Sequence, residues 1–131
     1  MVPGAIQPEL FGMTIESVYQ MRPEEYCSRV LASICQAVLD HHSICPGKMI
    51  NYRDLPEAVF DQIAPFFGLK LSETDRATMR RVMLRDAKNP DMGFSTDSHA
   101  KRDMATERAR KSTDRWLSPV YDQLETLRGV C

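Results

Sequence analysis

No apolar run in this chain approaches the roughly 20 residues that a helix needs to cross a bilayer, which argues against a helical membrane anchor. The opening Met1-Val2-Pro3-Gly4 lacks the positively charged start of a secretory leader, so the cytoplasm is the expected location. An excess of one charge sign is also missing. Lys and Arg number 17 against 18 Asp and Glu, a net charge of −1, and this argues against general affinity for nucleic acid or membrane surfaces. Glycine is scarce, 6 residues in all, and Gly4 and Gly12 are too isolated to form a phosphate-cradling loop that ends in Lys or Arg before a helix. Internal repeats and low-complexity segments are lacking as well. Cysteine is limited to Cys27, Cys35, Cys45 and Cys131. Without a secretory signal these predict buried thiols rather than disulfides.

What is present is ordinary globular material. With 43% hydrophobic and 27% charged residues over 131 positions, the chain can bury a modest core and make one domain or most of one. Residues 1–13 carry Pro3, Gly4, Pro8 and Gly12 and read as an extended arm that packs through Ile6, Leu10 and Phe11. Residues 14–47 read as helices. Thr14 caps a short one through Met21, and Pro23-Glu24-Glu25 opens a longer one. Tyr26, Val30, Ile34 and Val38, with Cys27 and Leu31, recur at helical spacing and carry it to about His41.

Residues 48–68 predict one short strand, Met49 to Tyr52, followed by a capped helix. Asp54 with Glu57 spells a capping box, Pro56 suits a first turn, and Val59, Ile63, Phe66 and Phe67 form the apolar stripe before a stop at Gly68. Pro65 crowds the carbonyl of Asp61 and predicts a kink or an early end. Residues 72–131 predict helices with a loop at 88–97. Ser72 and Asp75 start one helix that runs to about Arg85, with Met79, Val82 and Met83 inward. Asp97 or Ser98 starts a long helical stretch that breaks near Ser112 or Ser118-Pro119 and resumes with Val120, Tyr121, Leu124 and Leu127 inward. The expected fold class is therefore mainly α with one short strand. A lone strand leaves its backbone groups without partners, so the simplest reading is that its neighbours are missing.

The order of these features resembles the C-terminal half of bacterial sulfotransferase-family proteins, which use 3′-phosphoadenosine 5′-phosphosulfate as donor. Four stretches carry the likeness. Pro8-Glu9-Leu10-Phe11-Gly12 precedes the helical Glu25-Tyr26-Cys27-Ser28-Arg29-Val30-Leu31. Asn51-Tyr52-Arg53-Asp54-Leu55-Pro56 leads to Phe66-Phe67-Gly68-Leu69. Asp86-Ala87-Lys88-Asn89-Pro90 leads across a loop to Phe94, Asp97 and Lys101, and Trp116 with Tyr121-Asp122-Gln123-Leu124-Glu125 closes the chain. The resemblance implies the helical C-terminal portion of an α/β, P-loop-like fold. It also implies that the sulfuryl group goes to a small-molecule acceptor with a hydroxyl or amine, and that no metal is needed. The family's phosphate-binding loop, and the Arg and Ser that hold the donor's 3′-phosphate, have no counterpart here, so this chain alone is expected to be inactive. By the same resemblance Lys88, Phe94 and Lys101 would close over the nucleotide.

Other readings compete with these roles. Lys88 also suits a helix C-terminus, Lys101 a solvated surface and Phe94 a core plug. Asp54 is read as a cap before a general base, and Tyr52 and Trp116 as packing residues. His41, His42 and Cys45 lack a fourth metal ligand, adjacent histidines point apart, and His99 suits a surface position. The arginines 76, 80, 81, 85, 108, 110 and 115 with Lys111 are interleaved with acids, the pattern of a solvated, salt-bridged face. The alternative to an enzyme is a noncatalytic helical interaction module, which would dock a partner or a second copy through exposed apolar surface.

Overall fold

A computed structural model describes residues 7–44, 47–86, 89, 91–93, 95 and 98–129. The fold is mainly helical. Its helices are α1 (Ile15–Gln20), α2 (Pro23–His41), α3 (Ala64–Phe66), α4 (Glu73–Met83), α5 (Ser98–Met104), α6 (Glu107–Ser112) and α7 (Ser118–Arg128). The chain divides into two compact units, one of residues 1–47 with 104–131 and one of residues 48–103. No helix among the described residues is long and apolar enough to cross a membrane.

In the first unit a 3₁₀ turn, Pro8–Phe11, ends on Gly12 in the left-handed conformation at φ 65°, which glycine reaches without a Cβ penalty. Of the expected arm, residues 7–13 form this turn, with Phe11 partly buried and Leu10, expected to pack, 71% exposed; Ile6 lies outside the described residues. Thr14 caps α1 by accepting the Ser17 N–H at 3.2 Å, as its sequence position predicts. Helix α2 keeps its predicted limits, with Pro23 in the first turn followed by Glu24 and Glu25. Tyr26 and Val30 are fully buried with Val18 and Met13, and Phe11 and Met21 close the cluster. Cys27 and Cys35 are half-buried free thiols, while Cys45 and Cys131 lie outside the described residues.

The expected strand is not formed. No ladder exists among the described residues, and the one bridge, Arg85 to Gly93, lies elsewhere. Instead the Asn51 side chain accepts the Arg53 N–H at 3.0 Å and starts a 3₁₀ turn, Tyr52–Asp54. A local side-chain bond of this kind satisfies the backbone without a neighbouring strand. Asp54 thus ends a turn rather than capping a helix, and the Leu55-Pro56 peptide, which is cis, separates it from the helical run. Glu57 pairs with Arg80 at 3.3 Å in place of the predicted capping box. Tyr52 is 70% exposed, so it is not a packing residue.

The helical run that follows is a π turn, Val59–Ile63, continued by α3. Ala64 donates to the carbonyl of Val59, five residues back. The wider turn accommodates Pro65, which has no N–H to give and would crowd the carbonyl of Asp61 in a regular helix. It also rotates the buried face. Ala58, Phe60 and Ala64 are buried, whereas the expected inward residues Phe66 and Phe67 are exposed. Gly68, at φ 65°, ends the segment as predicted, with Leu69 N–H bonded to Ala64 O at 2.8 Å.

The capping box of α4 is present. Ser72 and Asp75 exchange hydrogen bonds at 2.9 and 3.1 Å. Met79 and Met83 are half-buried, but Val82 is 61% exposed. The C-terminal stretch carries an interruption that the sequence does not announce. It interrupts at Ala105-Thr106, where Thr106 accepts the Ala109 N–H at 3.1 Å. The α-helix then ends at Ser112 and resumes at Ser118, where breaks are expected, with a π turn at Thr113–Leu117 joining α6 to α7. Ser118 donates to Thr113 O in that turn, directly before Pro119. The same device therefore absorbs Pro65 and Pro119. Val120, Leu124 and Leu127 are half-buried, and Tyr121 is exposed.

Candidate functional site

The loop after α4 contains the residues that the resemblance marks for the nucleotide. Arg85 N–H bonds to Val82 O at 3.0 Å and ends the helix. Asp86 N–H then bonds to Met92 O and Met92 N–H to Asn89 O, both at 2.9 Å. The Asp86 carboxylate accepts the Asn89 N–H at 2.9 Å, and Arg85 pairs with Gly93 across an antiparallel bridge. The loop is thereby tied at its neck. At its mouth is an open hollow of about 340 Å³ lined by Arg85, Asp91, Met92 and Gly93.

Of the three predicted nucleotide contacts, Lys101 stands exposed on α5. Lys88 and Phe94 lie outside the described residues. Arg85, which lines the hollow, belonged to the predicted basic stripe and not to the predicted site. Its position one residue before the Asp86-to-Pro90 stretch was the available signal.

Four other arginines lie against aromatic rings. Within the second unit, the guanidiniums of Arg80 and Arg76 lie 4.7 and 5.7 Å from the Phe60 ring, and Arg80 also holds Glu57. Within the first unit, Arg29 and Arg115 lie 4.6 and 4.8 Å from the Trp116 ring. These are cation–π distances. Lys111 pairs with Glu107 at 2.7 Å along α6. Of the expected salt-bridged face, Lys111–Glu107 is one pair, whereas Arg76, Arg80 and Arg115 lie against aromatic rings.

A second hollow, about 650 Å³, lies between α2 and α7 and is lined by Gln36, Leu39, Asp40, His42, Asp122, Gln123, Thr126 and Leu127. Several of its polar groups are engaged within their own helices. Gln36 donates to Asp40 at 2.8 Å, Thr126 to Asp122 O at 2.9 Å, and His42 Nδ1 sits 2.7 Å from Leu39 O. No cluster of three or more His, Cys, Asp or Glu is arranged for a metal among the described residues. His41 is likewise tied to a backbone carbonyl, that of Ala37 at 2.8 Å, and Cys45 lies outside the described residues.

Among the described residues, two titratable groups are displaced from their ordinary ranges. Burial pushes the Cys35 thiol up, which leaves it protonated and a poor nucleophile at neutral pH. The hydrogen bonds from the Ser72 hydroxyl and backbone hold the Asp75 carboxyl below the usual range and fix its role as a cap. Neither is a poised acid or base. No protein-family description, curated protein or solved structure matches this chain.

Proposed function

We propose that this chain is the C-terminal, helical portion of a sulfotransferase-type enzyme with an α/β, P-loop-like fold. The intact enzyme moves a sulfuryl group from 3′-phosphoadenosine 5′-phosphosulfate to an acceptor hydroxyl or amine. The observation that carries the reading is the order and spacing of four family-like stretches across nearly the whole sequence. The tied loop between α4 and α5 supports it. A neck closed by backbone bonds, with Arg85 at its mouth and Lys101 on the following helix, suits a segment that closes over an anionic nucleotide.

In this reading the base that deprotonates the acceptor belongs to the donor-binding half, which these 131 residues do not contain. This chain supplies cations and acceptor-side packing. A charge-assisted contact from Lys101 to a donor phosphate is worth about 1.5–3 kcal/mol. In the chain joined to a donor-binding half, Lys101→Ala should weaken nucleotide affinity about tenfold or more, as read by titration calorimetry. Unchanged affinity removes this lysine from the site.

The second reading, a noncatalytic helical module, has one observation in its favour. Leu31, Ile34 and Val38 on α2 are 44%, 49% and 41% exposed among the described residues, an apolar stripe at helical spacing.

A further inference from the structure

We draw no further inference here: the strongest candidate, the open hollow of about 650 Å³ between α2 and α7, is walled by Gln36, Asp40, His42 and Thr126, which hydrogen-bond within their own helices, and nothing in the structure shows what would fill it.

Discussion

Phe60, 1% exposed beneath the Arg76 and Arg80 guanidiniums, anchors the second unit. Phe60→Ala should cost about 3–5 kcal/mol, whereas Phe67→Ala, at a position 68% exposed, should stay within about 0.5 kcal/mol. Urea denaturation distinguishes the two, and equal losses would refute the assigned register. The sequence favoured Phe67, because its pattern was read with a period of 3.6 residues. The π turn at Val59–Ile63 adds a residue to that turn and moves Phe60 inward. Nothing in the spacing of apolar residues reports such an insertion. Pro65 was the clue, and it was legible only as a disturbance. The side chains of α2 were read better. Tyr26 and Val30 are buried as their spacing requires, although Ile34 and Val38, assigned to the same inward face, are not.

At the level of elements, capping chemistry was the most legible signal, because the side chain and its N–H partners lie within one turn. Thr14 and Ser72 cap where the sequence puts them. The Ser72–Asp75 box has a pH signature. Its hydrogen bonds lower the Asp75 pKa, so the stability it contributes is present above the unfolded carboxylate value of about 3.9 and is lost as pH falls through the lower folded value. Helix α4 should therefore weaken on acidification below about pH 4, seen as faster amide exchange at its first turn. Asp75→Asn should flatten that dependence, and Ser72→Ala should cost about 1 kcal/mol. A profile unaltered by Asp75→Asn would contradict the assignment. The strand failed for the opposite reason. Four extended-looking residues specify no partner, and Asn51 supplied a local bond that turned the chain instead. Asp54 was misread for the same cause, since a cap and the end of a 3₁₀ turn share the residue type.

At the level of the whole molecule, a mainly helical chain was legible from periodicity, and the division at residues 47–48 and 103–104 was not. Of the candidate site, the sequence placed the loop and not the residues that line its hollow. The loop between α4 and α5 lies where the Asn89–Gly93 turn residues place it, and Arg85 joins it through a bridge that no local pattern announces. The functional reading depends on residues separated along the sequence, whose proposed common purpose is a nucleotide held mainly by a donor-binding half. That account makes a demand on chemistry as well as on binding. A sulfuryl-transfer assay with 3′-phosphoadenosine 5′-phosphosulfate and a panel of hydroxyl and amine acceptors, run on this chain alone and then joined to a donor-binding half of a sulfotransferase-family protein, tests it most directly. The account predicts no transfer by the chain alone and transfer by the joined protein; turnover by the chain alone, or silence in both, would contradict it.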